Sequence, residues 1–292
     1  MGKKVIFWTV SVIITLFTAY YQRTTGPTYP RSFKVKIDST EISYSLPRSQ
    51  NGYTDCAVKI DLADPMITGK VIYRRYPTSD PWDTLSFNRE GESLIAWLPK
   101  QKAAGKLEYK VELFRNDQQL EIINNEIINI RFKDNVPAYA LIPHIIFIFA
   151  AMLLSTLAAF FAIGNIPSYK FYTGLTLVMF LLGGMIFGPV VQKFAFNEYW
   201  TGFPYGKDLT DNKALIGFIA WIIAWLGNRK KERKYLVIIA AIVVLVISYI
   251  PHSARGSELD YESGAIQTGM IYLSGIFAAY FYPGKLNSAL KD

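Results

Sequence analysis

Hydrophobic positions in this chain follow two different periods. Six long apolar runs stand out: Val5–Tyr21, Ala138–Ile163, Phe171–Val191, Ala214–Leu226, Tyr235–Ile250 and Ala265–Tyr282. A helix needs about 20 apolar residues to cross a bilayer core of roughly 30 Å, with about 17 as the lower bound. The second, third and sixth runs meet that length, and the first reaches the lower bound. The fourth and fifth are short. The pattern predicts a bundle of six transmembrane helices.

Between the first two runs the period changes to two. Phe33, Val35 and Ile37 alternate with polar residues, and so do Cys56, Val58, Ile60 and Leu62. Leu107, Tyr109, Val111 and Leu113 interleave with Glu108, Lys110 and Glu112, and Arg115-Asn116-Asp117 makes a turn into Leu120–Ile123. Ile128, Ile130 and Phe132 form the last run. Alternation bounded by turn residues is the signature of half-buried strands. About seven or eight of them suit an antiparallel sandwich. In the run Leu94-Ile95-Ala96-Trp97-Leu98, Trp97 belongs to the core, or else faces outward if Leu94, Ala96 and Leu98 form the inner row.

One stretch of the insert keeps a recognisable order. Val71-Ile72-Tyr73-Arg74 is followed by Trp82, Leu85 and Phe87. Gly91, Leu94-Ile95-Ala96 and Pro99 come next, and then Gly105 through Val111. In this order the insert, about residues 33–133, resembles the immunoglobulin-like or fibronectin type III-like modules of extracytoplasmic bacterial proteins. The resemblance implies a sandwich with its aromatics inside, and transfers no active site. The expected fold is therefore an α-helical membrane bundle of six helices with an all-β immunoglobulin-like sandwich inserted between the first two. The domains are 1–23 as an uncleaved signal anchor, 24–137 as the sandwich and 138–292 as a five-helix membrane unit.

Charge sets the expected orientation. Lys3 and Lys4 precede the first run, and Arg229, Lys230, Lys231, Arg233 and Lys234 crowd the connection after the fourth against Glu232 alone. Basic residues stay on the cytoplasmic side. Both termini are then cytoplasmic, residues 24–137 lie outside the cytoplasm, and the setting is a bacterial inner membrane. The first run ends in Thr18-Ala19-Tyr20-Tyr21, which offers no small-x-small cleavage site. The net charge of +8 suggests nucleic acid, but much of it sits where membrane topology already explains it. The single cysteine, Cys56, excludes an intrachain disulfide, so the insert depends on its hydrophobic core.

Candidate chemistry gathers in two connections on the outer side. The first contains Glu198, Trp200, Asp208, Thr210, Asp211, Asn212 and Lys213. Counting about 20 residues back from Leu226 at 1.5 Å each reaches Lys207, which puts these polar residues at the membrane boundary. Asp208 or Thr210 is then the helix N-cap, and Asp211 gains from the helix dipole. Such groups at membrane depth face protein or water and pair with one another, so Lys213, Arg255 or His252 is the expected partner of the two aspartates. The alternative is capping alone, with Trp200 as an interfacial anchor.

The second connection contains His252, Ser253, Arg255, Ser257, Glu258, Asp260 and Glu262. The only two histidines, His144 and His252, both follow Ile-Pro, and they are the candidate ligands for haem or a divalent metal. No HExxH, CxxCH or phosphate-loop pattern supports a defined chemistry. The sequence fits a membrane component that binds an envelope protein partner or ligand through its sandwich. A membrane-embedded enzyme or redox protein using the 198–213 and 252–262 connections is the alternative, and a transporter the second.

Overall fold

A computed structural model describes residues 2–37, 40–116, 118–120, 126–251 and 256–267. A long helix, α1 (Gly2–Thr25), leads into a β-module. Its strands are β1 (Arg31–Ile37), β2 (Thr40–Leu46), β3 (Ser49–Asn51), β4 (Cys56–Asp61), β5 (Ile67–Tyr76), β6 (Asp83–Ser86), β7 (Asn88–Glu90), β8 (Ser93–Leu98), β9 (Lys106–Arg115), β10 (Gln118–Gln119) and β11 (Ile128–Lys133). The helices that follow are α2 (Ala138–Ile163), α3 (Tyr169–Phe180), a π-helical stretch (Leu181–Phe187), α4 (Gly188–Phe196), α5 (Leu209–Lys230) and α6 (Lys234–Ser248). A short hairpin, β12 (Glu258–Leu259) and β13 (Ile266–Gln267), comes last among the described residues.

The β-module is two-layered. One sheet runs β3-β11-β9-β5-β6, with β10 beside β9, and the other runs β4-β8-β7. β1 and β2 form a separate hairpin. Period two drives this assembly, because alternate side chains of β4 (Cys56, Val58, Ile60) and β8 (Leu94, Ala96, Leu98) point inward. They meet Val71, Leu107, Tyr109, Leu113, Ile130 and Phe132 of the larger sheet in one core. Trp97 takes the outward position at 51% exposure. The expected run Leu120–Ile123 falls largely outside the described residues.

The helical part differs from the expected bundle of six. Four helices are long and apolar enough to cross a membrane: Gly2–Thr25, Ala138–Ile163, the continuous Tyr169–Phe196 and Leu209–Lys230. The fifth helix, α6, has 15 residues, about 22 Å at 1.5 Å each. The run expected to make a sixth opens differently, since Ile266 and Gln267 pair as a strand with Leu259 and Glu258. Residues 268–292 lie outside the described part. The six-helix membrane bundle is therefore overturned: among the described residues there are five helical rods and a β-module inserted after the first.

The third rod carries its irregularity at its glycines. The Gly183 carbonyl accepts from Gly188 N, closing a wide turn, and also from His144 Nδ1 at 2.9 Å. A Cβ on Gly183 would lie 2.8 Å from the backbone nitrogen of Ile148, so only glycine lets α2 come this close. π-helical stretches often mark functional positions.

The rods have a defined top and bottom. At one end Lys234 Nζ donates to Asn165 Oδ1 at 2.9 Å, and Lys170 pairs with Glu232 at 3.0 Å, joining the α2–α3 and α5–α6 turns. At the other end Asp134 N donates to Ala195 O at 3.0 Å, tying the β-module to α4. The β12–β13 hairpin docks on the β-module as well. Leu259 N donates to Ala104 O, Tyr261 OH donates to Lys106 O at 2.7 Å, and Lys106 N donates back to that hydroxyl at 3.0 Å.

Candidate functional site

Beneath the β-module, between the helices, lies a cavity of about 260 Å³. Its lining changes character along the rods. Gln22, Arg131, His144, Gln192, Asp208, Asp211, Lys213 and Ser248 contribute polar atoms near the rod ends that adjoin the β-module. Ile148, Met152, Phe180, Gly184, Ala214, Val244 and Ile247 contribute an apolar wall. Met152 stands about 20 Å along α2 from its first residue, so the cavity reaches deep between the helices.

The polar end is built by local capping. Asn197, at φ 62°, closes α4 in the left-handed conformation that asparagine tolerates, and turns the chain into the 197–208 connection. Asp208 is the N-cap of α5 and accepts from Thr210 N at 2.8 Å. Asp211 follows in the first turn and is buried. Its Oδ2 accepts from Thr201 N at 2.6 Å and lies 3.1 Å from Thr201 Oγ1. Thr201 is fully buried and also receives Gln192 Nε2. Gly202 fits because a Cβ there would meet Asp211 Cβ at 2.7 Å.

Ser257 extends this network to the hairpin. Its N donates to Asp208 Oδ2 at 3.0 Å, and its Oγ lies 3.1 Å from Asp208 Oδ2 and 2.9 Å from Thr201 Oγ1. Its carbonyl receives Arg131 Nη2 at 2.5 Å. Arg131 stands on β11 and is only 7% exposed, stacked on the Phe196 ring at 4.2 Å from the centroid. Its Nε finds no hydrogen-bond partner among the described residues. Burial pushes the guanidinium below its ordinary range, while the Asp208 and Glu258 carboxylates act in the opposite sense. Gly256 packs against it, since a Cβ there would lie 2.6 Å from Nη1.

The sequence-based candidates separate into four groups. Asp208, Thr210, Asp211 and Lys213 line the cavity, and Asn212 Oδ1 fixes the connection by accepting from Phe203 N at 2.7 Å. Glu198 is exposed, and Trp200 Nε1 donates to Phe203 O at 3.0 Å within the connection, so neither lines the cavity. Glu258 pairs with Lys106 of the β-module, and Asp260 shapes the β12–β13 turn by accepting from Glu262 N at 2.9 Å. His252, Ser253 and Arg255 lie outside the described residues.

Two expectations bear on these groups, and their candidates His252 and Arg255 lie outside the described residues. The aspartates are held by Thr201 and Ser257, with no ion pair to Lys213, whose ammonium donates instead to Ile250 O at 2.7 Å. His144 donates to Gly183 O, and among the described residues no group of three or more His, Cys, Asp or Glu is placed to hold a metal ion.

Thr201, Gln192 and above all Arg131 were missed by sequence reasoning, and Ser257, named there only with the second connection, was not linked to the aspartates. On a strand of Ile128, Ile130 and Phe132, Arg131 reads as solvent-facing, but the hairpin and Phe196 cover that face. Comparisons with protein-family models, with curated proteins and with solved structures found no match, and the resemblance to immunoglobulin-like modules gains nothing from them.

Proposed function

We propose that this chain is a membrane-anchored binding protein whose ligand is an amphiphile held in the cavity beneath the β-module. The observation that carries the reading is the cavity's polarity: charged and hydrogen-bonding groups at the end near the β-module, an alkyl and aromatic wall farther down. Binding sites are concave, mostly apolar and furnished with a few placed polar groups, which is this composition. The site's walls come from every helical rod and from β11, so the β-module acts as its cover.

The proposal sets the rods across a bilayer, with the β-module on the non-cytoplasmic side of a bacterial inner membrane. The basic turn of Arg229 to Lys234 supports it, since it lies at the rod ends opposite the β-module. An envelope protein partner for the β-module fits the exposed Trp97 on β8.

The test fills the cavity. Gly184 borders it, and a Cβ there meets only ordinary contacts at 3.5–3.9 Å, so the backbone accepts a side chain. Full-length protein in phosphatidylcholine nanodiscs is titrated with radiolabelled 1-octanol and octanoate, with empty nanodiscs as background. At least one is expected to bind saturably, and Gly184→Leu to lose that binding while keeping its melting profile. Absence of saturable binding by either compound would end the proposal.

A further inference from the structure

The cavity's charged end distinguishes between headgroups. Its two carboxylates are already supplied with donors. Asp208 accepts from Thr210 N and Ser257 N, and Asp211 from Thr201 N and the Thr201 hydroxyl. The two cations are not supplied with acceptors to the same extent. Lys213, 6% exposed, has three N–H donors and places one on Ile250 O. Arg131, 7% exposed, has five N–H donors in a fixed fork, with Nη2 on Ser257 O and Nε on nothing among the described residues. Neither forms an ion pair among the described residues, and the Asp208 carboxylate acts on both only through space.

Buried cations with spare donors beside an apolar wall are complementary to one kind of headgroup. We infer that the cavity takes an anionic single-chain amphiphile, its carboxylate or phosphate held between Arg131 and Lys213 and its alkyl chain laid against Phe180, Met152 and Val244; this rests on the amphiphile-binding reading above. At roughly 10–15 Å³ of cavity space for each water-sized group, the cavity holds on the order of twenty of them, room enough for one chain of medium length. A planar guanidinium accepts a carboxylate or phosphate through paired hydrogen bonds, and Lys213 adds a second point charge.

The experiment keeps the chain constant and changes the head. Octanoate, 1-octanol and octylamine are titrated at pH 7.5 into the full-length protein in phosphatidylcholine nanodiscs. Acetate and inorganic phosphate serve as chainless competitors. Octanoate is expected to bind at least about tenfold more tightly than octanol, the loss of one charge-assisted hydrogen bond being worth that much. Arg131→Met and Lys213→Met should each remove this preference, with the melting profile of each variant checking that it is folded. Gly256→Ala, which pushes on the guanidinium, should weaken octanoate in the same way.

Equal binding of octanol or octylamine would overturn the anionic headgroup and leave the amphiphile site standing. Displacement of octanoate by acetate or phosphate at similar concentration would assign the site to a free small anion and overturn the inference. No binding by any chain-bearing compound would fail the underlying reading itself.

Discussion

Thr201 is the centre of the buried polar network, and replacing it by valine tests whether that network holds the 197–208 connection. Valine keeps the shape of threonine and removes the hydroxyl. Asp211 keeps the Thr201 N–H at 2.6 Å but loses the hydroxyl at 3.1 Å. Gln192 Nε2 loses the hydroxyl and keeps only the neighbouring Asp211 carboxylate, and Ser257 Oγ keeps Asp208 but loses its second contact. A hydrogen bond to a charged acceptor contributes about 1.5–3 kcal/mol, and an orphaned buried donor costs about 1–3 kcal/mol. Because Asp211, Gln192 and Ser257 each keep one partner, the expected loss for Thr201→Val is about 2–4 kcal/mol. Unfolding of the full-length protein in mixed micelles by added dodecyl sulfate measures it, with Trp fluorescence as readout. Thr201→Ser retains the hydroxyl and should lose only about 0.8 kcal/mol for the missing methyl. A loss below about 0.5 kcal/mol for the valine variant, the range of ordinary surface changes, would refute the network as a structural element.

In the same assay Asp211→Asn, which removes a buried charge that accepts two bonds, should cost several times more than Glu262→Gln, whose side chain is exposed. Leu98→Ala should destabilise the β-module by about 2–5 kcal/mol, whereas Trp97→Ala, half-exposed on the outer face, should stay within about 0.5 kcal/mol in chemical denaturation. Burial pushes the Cys56 thiol up to about 11, so the native protein should resist iodoacetamide at pH 8 and react on unfolding. The folded state holds this proton more tightly, so its contribution to stability is complete below the ordinary thiol range and is lost as pH rises toward 11. For orientation, a cysteine at Ser263 should react with an impermeant maleimide in intact cells and one at Lys231 should not; the reverse labelling pattern would invert the proposed topology.

Periodicity made the β-module and most helical rods legible, because alternation of two and long apolar runs are direct consequences of burial. The start of α5 was also legible. Thirteen apolar residues up to Leu226 are too few for a membrane helix, so the count had to begin near Asp208, and Asp208 is the N-cap. What failed was the count of helices. Apolarity alone does not decide between a helix and a strand when neighbouring backbone is available, and Ile266-Gln267 found a partner in β12. The partners of the aspartates were illegible for another reason. Charge suggested cations, of which Arg255 and His252 lie outside the described residues; among the described ones, small donors 10 and 49 residues away, Thr201 and Ser257, supply hydrogen bonds to the carboxylates.

Arg131 separates a structural ion from a ligand-facing one, and its replacement by methionine distinguishes them in the absence of ligand. A structural cation is held by partners that compensate its burial, and removing it leaves those partners uncompensated, at about 3–5 kcal/mol. Arg131 is different in its accounting of donors: one bond to the Ser257 carbonyl, a stack on Phe196, an Nε with no partner among the described residues, and the Asp208 and Glu258 carboxylates acting on it only through space. Its removal takes away one charged hydrogen bond of about 1.5–3 kcal/mol and relieves a burial cost of several kcal/mol. Methionine of similar length keeps the contact with Phe196. The ligand-free protein should therefore lose no more than about 1 kcal/mol on Arg131→Met, and the protein saturated with octanoate should lose clearly more, because bound ligand adds stability only where it binds. A loss above about 3 kcal/mol without ligand, unchanged by octanoate, would make Arg131 a strut between the β-module and the hairpin and leave the anionic headgroup without its principal partner.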